Sequence, residues 1–273
     1  MYSSSTWRLI VSEPADGATN MAVDEAILEA VAEGHAPPTL RFYAWSPPCL
    51  SLGMAQRHTD VDRERLSALG WDLVRRPTGG RAILHTDELT YSVIAPQDEP
   101  RVAGSVVESY RRLSEGLMRG LQVLGLSAAQ ANTAPAHGRG AGPICFEAPS
   151  DYEITAGGKK LIGSAQARKQ GVVLQHGTLP LVGDLRRICE ALRYESMAAR
   201  EVARARVLER ATTLETALGR AVAWSAAVEA MTMGFEEALG LVLARAELTA
   251  AEREAAARLR AEKYASPTWT LRR

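Results

Sequence analysis

Two periodicities of apolar residues run along this chain, one helical and one strand-like. Behind Asn20, which the pattern makes a helix cap, Ala22, Val23, Ala26, Ile27, Ala30 and Val31 recur at helical spacing until Gly34. Residues 39–45 predict a strand stopped by Pro47 and Pro48, residues 49–52 a second short strand, and residues 60–69 a helix closed by Gly70. Residues 72–76 lead into Pro77-Thr78-Gly79-Gly80, whose residue types specify a turn or loop. Strands follow at 82–85 and 89–95. Residues 105–124 then form a long amphipathic helix with Val106, Val107, Tyr110, Leu113, Leu117 and Leu121 on its buried face.

Residues 132–143 are rich in Gly, Ala and Pro and lack a period, so they read as a mobile loop leading to Cys145. Three more strands are expected at 152–155, 160–165 and 172–181, the first two joined by a Gly157-Gly158 hairpin turn. From Arg186 the chain turns mostly helical, and Thr249 with Glu252 makes a capping-box pattern for the last helix. Strands in local, hairpin-like series flanked by helices predict an α+β fold with a mixed, largely antiparallel sheet. Residues 1–185 form its strand-rich core, and residues 186–273 a helical segment packed on the same domain.

Composition narrows the function. The 32 basic side chains balance the 32 acidic ones, so no global field points to nucleic acid or a membrane. No apolar stretch approaches the roughly 20 residues that span a bilayer. The N-terminal residues lack the pattern of a signal peptide. Three cysteines, Cys49, Cys145 and Cys189, do not make a disulfide framework, so a reducing cytoplasm is the expected setting. Cys49 and Cys189 read as packing residues. No Cys/His cluster has structural zinc spacing, and neither a phosphate-binding Walker loop nor a Gly-x-Ser-x-Gly elbow occurs.

Three constellations carry candidate chemistry. In the run from Arg75 through Gly79-Gly80 to His85, the glycines let backbone approach a ligand, and the arginines suit a phosphate or carboxylate. In Gly158-Lys159-Lys160-Leu161-Ile162-Gly163-Ser164-Ala165-Gln166, strand geometry sends the two lysines to opposite faces, one to solvent and one toward a pocket. The block Gln175-His176-Gly177-Thr178-Leu179 follows. Cys145, in Ile144-Cys145-Phe146-Glu147-Ala148-Pro149-Ser150, lies fifteen residues before Lys160. A cation beside a thiol favours the reactive thiolate. Read alone, each motif also admits an ordinary turn, a solvated strand edge or a buried thiol.

Together these blocks resemble the lipoate–biotin protein ligase and octanoyltransferase superfamily. The first block continues through Asp87-Glu88-Leu89-Thr90-Tyr91-Ser92, and Asn20-Met21-Ala22-Val23-Asp24-Glu25, Ser51-Leu52-Gly53 and, more loosely, residues 264–269 also match. The sequence from Cys145 to Ser150 resembles the LipM-type octanoyltransferases. Gln175-His176-Gly177 has no adjacent Cys, unlike LipB-type transferases. Arg81 replaces a third glycine common in ligases, and Ser150-Asp151-Tyr152-Glu153 stands where ligases carry an Asn-Asp pair.

The resemblance implies a biotin/lipoate protein ligase-like catalytic domain with Cys145 as nucleophile and Lys160 as the partner that lowers its pKa. Substrate binding falls to Arg76, Gly79, Gly80, His85, Gly163, Ser164, Ala165, His176 and Gly177. It implies transfer from octanoyl-acyl carrier protein, through a cysteine thioester, to a lysine of a lipoyl domain such as glycine cleavage H protein. No cofactor, metal, nucleic acid or membrane is expected, and a monomer suffices. Six buried methylenes contribute roughly 5 kcal/mol to holding the chain. Arg75, Arg76, Arg81, Lys159, Arg168 and Lys169 are expected to form a local patch for an acidic carrier protein. The alternatives are an ATP-dependent lipoate ligase, an amidotransferase between lipoyl domains and a non-catalytic acyl-carrier binding protein.

Overall fold

A computed structural model describes residues 2–127, 129–132, 144 and 153–273. Eight strands form one mixed sheet. They are β1 (Ser5–Val11), β2 (Thr39–Tyr43), β6 (Glu88–Pro96), β7 (Gln130–Asn132), β8 (Glu153–Ala156), β9 (Lys159–Lys169), β10 (Val172–Pro180) and β11 (Leu241–Arg245). Their order is β11-β1-β2-β6-β10-β9-β8-β7. The pairs β11–β1 and β1–β2 are parallel and all the others antiparallel. A second sheet, order β4-β3-β5, joins β3 (Cys49–Leu52), β4 (Asp72–Arg75) and β5 (Ile83–His85).

The helices cover the main sheet unequally. On one face α3 (Val106–Val123) packs against α6 (Trp224–Leu239) over Leu40, Phe42, Tyr91 and Val93. These helices approach closely because Gly234 lacks a side chain. A Cβ there would lie 2.4 Å from the Gly116 carbonyl oxygen. The opposite face carries α1 (Gly17–Ala32), α7 (Ala250–Leu259) and the small sheet. A buried ion pair, Arg8 to Glu252 at 2.5 Å, ties β1 to α7. The helices α2 (Arg63–Ala68), α4 (Met197–Arg210), α5 (Leu214–Leu218) and α8 (Pro267–Thr270) complete the chain. Among the described residues no helix is long and apolar enough to cross a membrane.

The fold is α+β with a large, mostly antiparallel sheet, as the strand order implied. Gly157 and Gly158 both have positive φ, 57° and 76°, in the tight turn between β8 and β9. Thr249 and Glu252 make a complete capping box on α7. The cap of α1 differs from expectation. Asp16 accepts the Thr19 amide there, whereas Asn20 sits inside the helix and donates to the Ala15 and Ala44 carbonyls. Between residues 60 and 69 only Arg63–Ala68 is α-helical, preceded by a 3-10 turn at His58–Asp60. The segment after Arg186 also supplies β11, which pairs with β1 at the edge of the main sheet.

Candidate functional site

Strand parity decides which polar side chains leave the core. On β10, Val172 and Leu174 pack toward α1, and the next two residues of the same parity are His176 and Thr178. Antiparallel pairing sets Gly163 of β9 and Thr90 of β6 on either side of Thr178, and Tyr43 of β2 beyond Thr90. These four paired positions all line one cleft of about 540 Å3. The small sheet closes it from the other side with Ser51, Ile83 and His85, and Arg76 and Gly80 of the β4–β5 connection complete that wall.

Of the nine residues expected to bind substrate, eight line this cleft. Arg76, Gly80 and His85 come from the small-sheet side, Gly163, Ser164 and Ala165 from β9, and His176 and Gly177 from β10. Gly79 does not line it; its carbonyl accepts from the Arg76 guanidinium at 2.8 Å. Lys160 is 3% exposed and its ammonium donates to Glu153 at 2.7 Å. Its tip rests on Gly163 of the cleft wall, where a Cβ would come 2.7 Å from Lys160 Cε and 3.2 Å from Nζ. Lys159 points the other way and donates to the Leu208 carbonyl. Cys145 lies outside the described residues, as do residues 133–143 of the expected loop and Tyr152 of the expected strand. Ile144 is fully buried and bridges to Ala82.

The arginines need correction. Arg75 is fully buried, and its guanidinium donates to the carbonyls of Gly53, Gln56 and Thr270. Arg76 is 3% exposed and donates to Ser51 and to the Gly79 and Arg81 carbonyls. Both shape the loop and present no surface charge, so neither belongs to a carrier-docking patch. Arg168 donates to the Gly104 carbonyl and Lys169 pairs with Glu25.

Two buried polar networks flank the cleft. Glu88 accepts from His85 Nδ1 at 2.6 Å, and His85 Nε2 meets Ser51 Oγ at 2.8 Å. Arg76 donates to the same Ser51 oxygen at 2.9 Å. Burial alone would raise the Glu88 carboxyl, but the His85 imidazole and hydrogen bonds from His85 and Thr90 hold it below its ordinary value. With Glu88 ionised and able only to accept, His85 Nδ1 is the donor of their hydrogen bond. The Trp45 ring stacks on His85 at 3.9 Å between centroids, and its Nε1 donates to Thr90 at 2.8 Å.

In the second network Asp24 of α1 is fully buried, paired with Arg41 at 2.7 Å and accepting from Tyr43 and Ser92 at 2.9 Å each. Burial acts to raise its pKa, yet Arg41 foremost, then His176, leaves it lowered. His176 Nε2 meets Thr78 Oγ1 at 2.6 Å, and Nδ1 stands 3.6 Å from Asp24, beyond hydrogen-bond distance. Burial pushes the His176 pKa down against the pull of Asp24, which favours the neutral ring.

Trp45 escaped sequence reasoning, and Glu88, Thr90, Thr178, Ser51 and Asp24 were seen only within matching runs. Polar residues two apart inside apolar strands, Thr90 with Ser92 and His176 with Thr178, were the available signal. Period-2 polarity inside a buried strand marks a face that meets something other than core.

The model of the lipoyl protein ligase A/B catalytic domain matches residues 16–236. An octanoyltransferase LipM of Kyrpidia tusciae is 47% identical, covering 98% of this chain and 99% of that protein. One from Moorella thermoacetica is 44% identical, covering 99% of each. Among solved structures, a bi-partite lipoate protein ligase with its E2 lipoyl domain from Thermoplasma acidophilum superposes with a TM-score of 0.80. It is 26% identical over 97% of this chain and 96% of that one. A lipoate-protein ligase A bound with ATP gives a TM-score of 0.79 at 26% identity, over 98% and 99%.

Proposed function

The chain belongs to the lipoyl protein ligase A/B catalytic-domain family and to its LipM-type octanoyltransferases, and from that premise we propose how the octanoyl group travels. The protein is an acyltransferase and its reaction is octanoyl transfer in lipoate biosynthesis. The donor is octanoyl-acyl carrier protein. The Cys145 thiolate attacks its thioester carbonyl, a new C–S bond forms, and the carrier's C–S bond breaks as its thiolate leaves. A lysine amine of a lipoyl domain, with glycine cleavage H protein as the preferred acceptor, then attacks the acyl-enzyme. An amide forms and Cys145 is released as thiol.

Exchange of one thioester for another is nearly isoenergetic, so the first step needs no ATP. Splitting the transfer lets two large proteins use the site in turn. Lys160 supplies the positive charge that favours the thiolate, and Glu153 fixes the ammonium in place. The cytoplasm, where thiols stay reduced, is the workplace.

One observation carries this reading: a cleft with apolar and hydroxyl walls that ends, at Gly163, against a buried lysine held by a carboxylate. The test is a transfer assay without ATP. Wild-type protein is expected to octanoylate a lipoyl domain from octanoyl-acyl carrier protein, and Cys145→Ser to lose activity by about a thousandfold or more. An ATP-dependent product from free octanoate or lipoate that survives Cys145→Ser overturns the reading in favour of a ligase.

A further inference from the structure

We infer that residues 264–273 are a positioning strap: through Arg75 they fix the β4–β5 connection, which carries Arg76, Thr78 and Gly80, against the main sheet. The proposal rests on the octanoyl-transfer reading only for the ligand that senses the strap. The run from Tyr264 to Trp269 loosely matches the superfamily, yet among the described residues none after Thr178 lines the cleft. The strap therefore acts through other residues.

It is anchored on α1. Tyr264 is 1% exposed and donates its hydroxyl to Glu25 at 2.6 Å, and Lys263 pairs with the same carboxylate at 2.5 Å. Trp269 meets Tyr264 edge-on, with the Lys263 ammonium 4.2 Å and the Arg272 guanidinium 3.8 Å from its ring. That indole donates from Nε1 to the Arg75 carbonyl at 2.8 Å, and Arg75 Nε donates to the Thr270 carbonyl at 3.0 Å. Residue 75 is thus gripped at backbone and side chain by one short helix, α8.

Arg75 passes the constraint on. Its Nη1 donates to the Gly53 carbonyl at 2.8 Å and to the Gln56 carbonyl at 2.7 Å, and Arg272 reaches Met54 between them. The Met54 amide donates to the Thr78 carbonyl at 2.8 Å. Gly53 lies so close to the connection that a Cβ on it would come 1.9 Å from the Gly80 carbonyl oxygen. Thr78 then meets His176 of β10 at 2.6 Å, which joins the connection to the main sheet, and Arg76, Gly80 and His176 all line the cleft. Arg75 is fully buried, and among the described residues its hydrogen-bond acceptors are all carbonyls. A buried guanidinium without a carboxylate depends on those carbonyls, so loss of the one from α8 loosens its hold on residues 53–56.

The test is hydrogen exchange at the Met54 amide together with octanoate binding, both on the whole chain. In Trp269→Ala, Met54 is expected to exchange about tenfold faster while amides of β6 keep wild-type rates, and octanoate to bind about tenfold more weakly. Trp269→Phe keeps a ring between the two cations and loses only the indole donor. It is expected to give about threefold on both readouts, and it covers the case in which Trp269→Ala does not fold. Phe235→Ala, a larger loss of packing on the opposite face, is expected to leave both readouts within about twofold of wild type, so general destabilisation is separated from positioning. Wild-type exchange and affinity in both Trp269 variants overturn the proposal. So does faster Met54 exchange with unchanged affinity, which would make the strap a brace of the fold alone. Octanoate that fails to bind the wild type counts against the octanoyl-transfer reading. The strap is then read from the His176 ring resonances, which shift in Trp269→Ala if it stands and stay in place if it does not.

Discussion

The two faces of the main sheet are built from the same strands and do different work. Toward α3 and α6 the strand positions are buried and mostly apolar, with Phe42, Tyr91 and Val93 under Leu117 and Phe235. Toward α1 and the small sheet the same strands present Arg41, Tyr43, Thr90, Ser92, His176 and Thr178, and ionised groups are buried among them. Burying a charge is costly unless it is paired and hydrogen-bonded. Asp24 meets this condition through Arg41, Tyr43 and Ser92, and Glu88 through His85 and Thr90. One face holds the fold together, and the other is a polar scaffold that fixes the walls of a cleft.

Variants on the two faces should therefore separate rate from stability. The largest effect is expected at the cleft's cationic end. Lys160→Ala should lower octanoyl transfer about a thousandfold. It should also destabilise by on the order of 3 kcal/mol, because Glu153 loses its buried cation. Paired transfer kinetics and denaturant titration measure both. On the helix face, Phe235→Ala should cost about 4 kcal/mol of stability by leaving a cavity under α3, with transfer per folded molecule within about twofold of wild type. A large loss of rate in that variant would erase the distinction between the faces.

Glu88→Gln tests the scaffold without emptying it. It should destabilise by about 2 kcal/mol, since hydrogen bonds to a charged group are the stronger ones. Transfer should fall roughly tenfold as His85 and Trp45 lose their fixed positions. The smallest effect is a pH slope. The folded pKa of His176 lies below its ordinary value of 6.5, so the unfolded chain binds more protons as pH drops. Its contribution to stability is full above 6.5 and is lost as pH falls through its lowered folded value. Melting temperature should decline as pH is lowered below neutrality, and His176→Gln should flatten that decline. An unchanged slope would mean that the ring does not stay neutral in the fold.

The contrast also separates what the sequence makes legible from what it hides. The hairpin of β8 and β9 is local, and Gly157-Gly158 announces its turn, so it reads directly. By contrast, β11 is a five-residue strand in helix-rich sequence, and its partner β1 lies over two hundred residues away. Nothing local specifies such a pairing. The glycine and lysine blocks were readable because their spacing is compact, and the sheets bring their residues to one cleft. Trp45 was not, since a tryptophan at the end of a predicted strand looks like core until pairing places it. Arg75 shows the opposite error. It looked like a ligand-binding cation, but it is fully buried and its guanidinium donates to the Gly53 and Gln56 carbonyls of the chain itself.

The central claim is that the octanoyl group passes through Cys145. Intact-mass measurement after mixing with octanoyl-acyl carrier protein tests it most directly. The expected result is the mass of one added octanoyl group, removed by hydroxylamine, discharged on addition of a lipoyl domain, and absent in Cys145→Ala. An adduct that persists in Cys145→Ala, or octanoyl transfer at the wild-type rate in that variant, would contradict the account.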